Sequence, residues 1–201
     1  MNMNDNALFI FGLQNDFLPV GNAEILGMEE ISGRIKKMSG YWKHIIVINQ
    51  NHPADHISFA ACHPWRKPHQ VIEIGNIQQY LWPIHCVSGT IGTLNPAWLT
   101  DLNPVIINHD SQREKENFSI FENESLLSYL TNNKIMHLFY CGFPLEFEIR
   151  ENTFMAINHG LKVSLIKDGI LSLASNKADL IYEQLGASDA KIINFSESLN
   201  N

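Results

Sequence analysis

Charge of either sign is scarce in this chain, and positive charge is the scarcer. Charged residues make up 17%, with 14 Lys and Arg against 21 Asp and Glu. A formal net charge of −7, with no run of five basic residues, leaves no face for phosphate and argues against a nucleic-acid partner. Cysteine is also rare. Cys62, Cys86 and Cys141 are irregularly spaced, which suggests no disulfide framework and points to a reducing, cytoplasmic setting. No apolar run approaches the ~20 residues needed to cross a bilayer, and the opening MNMNDN carries no signal-peptide pattern. No membrane association is expected. Repeats, linkers and low-complexity tracts are missing, as are the Walker and GxGxxG phosphate loops.

What remains is an ordinary globular composition. At 201 residues and 45% hydrophobic, the chain is expected to form one domain over 1–201 that buries most of its apolar surface without staples. Nearly continuous β-rich runs occur at 7–12, 44–50, 104–109, 137–142, 162–167 and 190–195. Such runs suit strands covered on both faces. Helical spacing occupies 28–42, 122–133, 146–160 and 176–187, with Asn133 and Gly160 placed where C-caps fall. Strand–helix alternation predicts an α/β fold with a parallel sheet, right-handed crossovers and ligands beyond the carboxyl ends of the strands. The loops after residues 12, 50, 109 and 142 should therefore meet.

Those loops hold the chemistry-bearing residues. NHPADHISF (51–59) and LWPIHCVSGTIG (81–92) supply His52, His56 and His85. Imidazole suits zinc, iron or manganese, and three such ligands with an open position is a catalytic type of metal arrangement. FGLQNDFLPVG (11–21), FSIF (118–121) and CGFPLEFEIR (141–150) complete the series. In this order the motifs resemble those of nicotinamidases in the isochorismatase-like hydrolase superfamily, over almost the whole chain, and the WPxHCVxGTxG stretch is highly specific. The resemblance implies a three-layer α/β/α sandwich around a central, mostly parallel six-stranded sheet. It also implies a divalent metal on His52, His56 and His85, and an aromatic clamp for a nicotinamide-like ring formed by Phe17 and Trp82. Self-association would be in keeping with the family.

The family's reaction apparatus does not carry over. Its metal-binding aspartate is Gln50 here, a neutral and weaker oxygen donor. The aspartate base falls on Gly12, the lysine on Asn108 or His109 (Lys115 does not fit the spacing), and the cysteine nucleophile on Glu148. The residue whose N–H helps form the family's oxyanion hole is Pro144, which has no N–H. The peptide before that residue is cis in the family, and Phe143–Pro144 is suited to it. Thiol amide hydrolysis needs all of these groups. The expectation is a nicotinamidase-like pseudoenzyme that binds a metal and a small heteroaromatic ligand. The alternative is a hydrolase of amide-like C–N bonds in which a metal activates water and Glu148 acts as base. A third reading keeps the metal for stability alone. Blander roles stand beside these: Glu148 as a helix N-terminal carboxylate, Asp16 as a turn or cap residue, Cys86 and Cys141 as small buried hydrophobes, and 114–116 as a solvated loop.

Overall fold

The computed structural model describes residues 5–115 and 118–199; Glu116 lies outside the described residues. Strands β1 (Asn6–Phe11), β2 (His44–Asn51), β5 (Val105–Asp110), β6 (His137–Gly142), β7 (Lys162–Ile170) and β8 (Lys191–Ile193) form one sheet in the order β5-β2-β1-β6-β7-β8. Every pairing in it is parallel. All six residues of β1 are buried, as a central strand covered on both faces requires.

The two faces carry separate cores. On one, Phe9, Phe11, Ile46 and Tyr140 meet Leu126 and Leu130 of α3 (Glu124–Asn132), Ala156 of α4 (Arg150–Asn158) and Leu185 of α5 (Ser175–Gly186). On the other, Leu8, Ile10 and Val47 meet Met28, Ile31, Ile35 and Met38 of α1 (Met28–Ser39). The i, i+3, i+4 spacing of the α1 residues is what turns one helix stripe inward. The result is the expected three-layer α/β/α sandwich with a parallel six-stranded sheet.

The element boundaries follow local chemistry. Asn123 caps α3 by accepting from the Leu126 N–H at 3.0 Å. Asn133 is the C-cap of that helix, and Gly160, at φ +76°, follows α4 with the left-handed conformation that glycine supplies at a helix end. The helical stretch expected from 146 begins as a single π turn, Leu145–Ile149, before α4. The sequence pattern did not anticipate the ribbon of β3 (Val71–Ile74) and β4 (Ile77–Tyr80), nor the short helices α2 (Ala97–Thr100) and α6 (Phe195–Ser198). Among the described residues no helix is long and apolar enough to cross a membrane.

Chain order sets the location of the site. From β1 the chain moves outward to β2 and β5, then returns to the other side of β1 with β6. Ligands in such sheets bind at the carboxyl ends where the order reverses. The loops after β1, β2, β5 and β6 meet there.

Candidate functional site

The site is held by backbone-directed side chains. Gln14 donates from Nε2 to the Gln50 carbonyl at 2.8 Å and to the Thr93 carbonyl at 3.0 Å, while its Oε1 accepts from the Gln50 N–H at 2.8 Å. Asp16 is 4% exposed and accepts from the Cys86 N–H at 2.6 Å and the Asn22 N–H at 3.2 Å. Its role is structural: it ties the loop after β1 to the turn carrying His85. The φ of +45° at Cys86 belongs to that turn, and its N–H needs the acceptor because it is buried.

Gln50, His52, Ser58, Trp82, His85 and His109 line one cavity, together with Ser111, Phe118, Phe147 and Glu148. Its volume is about 10 Å³, against the ~300–1,000 Å³ usual for ligand pockets. Aromatic side chains fill it. Phe118 and Phe147 stack at 5.4 Å, and Phe147 meets Trp82 edge-on at 6.3 Å. Phe17 does not line the cavity. It is fully buried against His85 at 5.3 Å and Phe143 at 5.2 Å, so the aromatic wall consists of Trp82, Phe118 and Phe147 instead of the Phe17–Trp82 pair.

The histidines gather as expected, but their donors are not used alike. The His52 ring lies 4.7 Å from that of His56 and 5.0 Å from that of His85, and Phe59 packs edge-on against all three. His56 is engaged through Nδ1 with Ser58 Oγ at 2.8 Å. The Gln50 Oε1 lies 3.0 Å from His85 Nε2 and 3.4 Å from His52 Nε2. His85 Nδ1 faces the Pro83 carbonyl at 2.9 Å. Burial pushes His85 down to about 4 and His52 down to about 2, the neighbouring imidazoles adding to the effect at His52.

His85 is therefore neutral, with one N–H and an acceptor facing each nitrogen. If Nδ1 donates to Pro83, the Nε2 lone pair confronts an amide oxygen, an arrangement that a cation between them would relieve. Buried His52 Nδ1 and His56 Nε2 have no hydrogen-bond partner. Among the described residues, however, no three His, Cys, Asp or Glu side chains are grouped so as to hold a metal ion. The donors present are His52, His85 and the amide oxygen of Gln50, together with His56, whose Nδ1 is held by Ser58 and whose Nε2 has no hydrogen-bond partner.

Gly12, Phe143–Pro144 and Glu148 lie around the same end of the sheet. Gly12 has φ +58°, and a Cβ there would fall 2.3 Å from the Phe143 carbonyl oxygen, so no side chain fits. The Phe143–Pro144 peptide is cis. Glu148, 4% exposed in the π turn, accepts a hydrogen bond from Gln50 Nε2. Glu146 is directed away to the segment before α5. It accepts from Leu173 N–H at 3.1 Å and Ala174 N–H at 3.0 Å, and from the Ser172 hydroxyl. Burial raises the Cys86 and Cys141 thiols, the opposite of what a thiolate nucleophile needs.

Strand phase separates Asn108 from His109. Ile107 is buried and Asn108 exposed. His109 lines the cavity, whereas Asn108 lines a groove with Asn49 and Asn51. His109 sits in register with Gln50. Its Nε2 is buried without a hydrogen-bond partner, and burial lowers its proton affinity. The alternation of residues 105–109 was the available signal for its direction. Phe118 and Phe147 lie within quoted motifs, but nothing in their spacing marks them as cavity walls.

Comparison with known proteins agrees with this fold. The isochorismatase domain family matches residues 6–195. The nicotinamidase of Acinetobacter baylyi is 29% identical over 180 residues, covering 86% of this chain and 84% of that protein. Among solved structures, the Acinetobacter baumannii nicotinamidase/pyrazinamidase superposes with a TM-score of 0.86 at 24% identity, over 98% of this chain and 99% of that one. The yeast nicotinamidase bound to the inhibitor nicotinaldehyde gives 0.83 at 22%, over 94% and 99%. The zinc complex of Pyrococcus horikoshii pyrazinamidase gives 0.74 at 25%, also over 94% and 99%. The sheet order, the loops it brings together and the match over residues 6–195 lead to one conclusion: this chain belongs to the isochorismatase family and is nicotinamidase-like.

Proposed function

We propose that this protein binds a small, flat, nicotinamide-like heteroaromatic molecule and does not hydrolyse it by thiol chemistry. The observation that carries this reading is the buried Glu148 carboxyl held by Gln50 in the cavity wall, with no space for a side chain at Gly12. Nicotinaldehyde in the yeast relative indicates the kind of ring. The aromatic wall of Trp82, Phe118 and Phe147 suits a planar guest, which must displace Phe147 or Phe118 to enter a 10 Å³ space.

A divalent cation belongs to the same proposal. His52, His56 and His85, with the Gln50 oxygen, would hold it, a donor set weaker than one containing a carboxylate. Zinc in the archaeal relative supports the class of ion. When bound, the cation supplies a Lewis-acidic anchor for a ring nitrogen. The chain's own residues orient that ring and exclude water from it. The alternative hydrolase with Glu148 as base is less well supported, because the Glu148 carboxylate is already bonded to Gln50.

Calorimetric titration with nicotinamide, with and without added zinc, checks the reading. Saturable binding without ammonia release is the expected result, tighter with zinc. Steady ammonia release would replace it with the hydrolase reading, and no heat under any condition would sink it.

A further inference from the structure

Successive residues of a strand point to opposite faces of the sheet. Gln50 and His109 face the histidine-lined cavity. Asn49 and Asn108, in register with each other across β2 and β5, face a separate groove of about 400 Å³, within the ~300–1,000 Å³ usual for small-molecule sites. Asn51 and Ile106 continue its floor, and side chains between Gly89 and Thr100 form its wall. No charged side chain lines it, although the chain is acidic overall.

The amides of this groove are set before any guest arrives. Buried Asn49 donates to Asn95 Oδ1 at 2.9 Å and accepts from Asn95 Nδ2 at 2.8 Å, while Asn95 also donates to the Leu13 carbonyl at 2.8 Å. Asn51 accepts from the Ser88 hydroxyl at 2.8 Å and donates to Asp110. An amide carries two N–H groups, so Asn49 and Asn51 each keep one for a guest. Asn108 is exposed on edge strand β5, and its amide makes no hydrogen bond among the described residues. The hydroxyls of Thr93 and Thr100 donate to the Thr90 and Pro96 carbonyls, which leaves their oxygens as acceptors.

We propose that this groove binds a neutral polyhydroxylated ring of monosaccharide size. A hydroxyl donates and accepts at once, and so matches amides that do both. Strand geometry puts Asn49 and Asn108 ~5 Å apart and Asn49 and Asn51 ~7 Å apart, spacings that one ring with several hydroxyls spans. Exposed Leu94 and Ile106 offer aliphatic surface to the C–H face of such a ring. A charged guest would give up water without meeting a counter-charge. The groove lies on the opposite face of β2 and β5 from the histidine-lined cavity, and its reading does not depend on what that cavity binds.

Saturation-transfer NMR titration of the full chain with glucose, galactose and mannose, and with glucuronate and glucosamine, tests this. At least one neutral hexose is expected to bind saturably, and both charged sugars about fivefold more weakly or worse. Asn108→Ala removes an exposed side chain and no intramolecular hydrogen bond, and should weaken the hexose about three- to tenfold; a melting curve establishes that the variant is folded. Added nicotinamide should leave hexose binding unchanged. Binding of no neutral hexose, equal binding of neutral and charged sugars, an unchanged affinity in folded Asn108→Ala, or displacement of the hexose by nicotinamide would each overturn the proposal.

Discussion

Asp16 and Glu148 are both buried carboxylates at the carboxyl end of the sheet, each 4% exposed, yet they are held in opposite ways. Asp16 accepts from two backbone N–H groups, those of Cys86 and Asn22. Those donors exist whatever side chains stand there, so Asp16 fixes the course of two loops. Glu148 accepts from a side chain, that of Gln50, and the two can be exchanged without moving the backbone. The first arrangement maintains a scaffold and the second fills it. This is how the loop frame at the end of the sheet can stay fixed while the side chains inside the cavity vary.

The largest expected effect comes from placing a side chain at Gly12. Gly12→Asp places a Cβ against the Phe143 carbonyl oxygen and should destabilise by about 2–4 kcal/mol, read as a lower urea midpoint. Parent-like stability would mean that the two turns can part. Next, Asp16→Ala leaves two N–H groups without acceptors and should cost about 2–3 kcal/mol, whereas Glu148→Gln should cost under about 1 kcal/mol. Equal losses in the same denaturation experiment would erase the contrast between the two carboxylates.

The smallest effect is a pH dependence remote from the site. His137, whose Nε2 lies 2.8 Å from the Ser164 hydroxyl, is lowered from 6.5 to about 4 by burial and by Lys191 and Lys162. The unfolded chain takes up this proton below 6.5 and the folded protein only near 4. Its contribution to stability is thus complete above 6.5 and lost as pH falls from 6.5 towards 4. His52 and His85 are shifted in the same direction. His137→Gln should flatten part of the decline in melting temperature over that range; an identical slope would exclude His137 from it.

Much of the fold was legible because burial on both sides leaves near-continuous apolar strands, and β1, β2 and β6 have that form. The β3–β4 ribbon was not. Val71 and Ile77 are exposed, and a four-residue ribbon whose inner face is only partly covered gives only a weak alternating signal. At the site, motif order located His52, His85, Gln50 and Glu148, but motifs are blind to phase. They left Asn108 and His109 undivided until the strand set one outward and one inward. Nor could they foresee that His85 and Phe143 occupy the Phe17 ring, since ring partners depend on packing between distant loops.

Gln14 treats Gln50 as a neighbouring strand would, giving and receiving one hydrogen bond with its peptide. At the end of β2, where pairing is about to stop, a side-chain amide stands in for the next residue of a sheet. Gln50 is left with only its own rotamers to settle, and contacts with His85 and Glu148 settle those. A guest entering the cavity would find this wall already ordered. Its affinity would be reduced by the entropy of moving aromatic rings aside, not by the entropy of assembling the polar groups that recognise it.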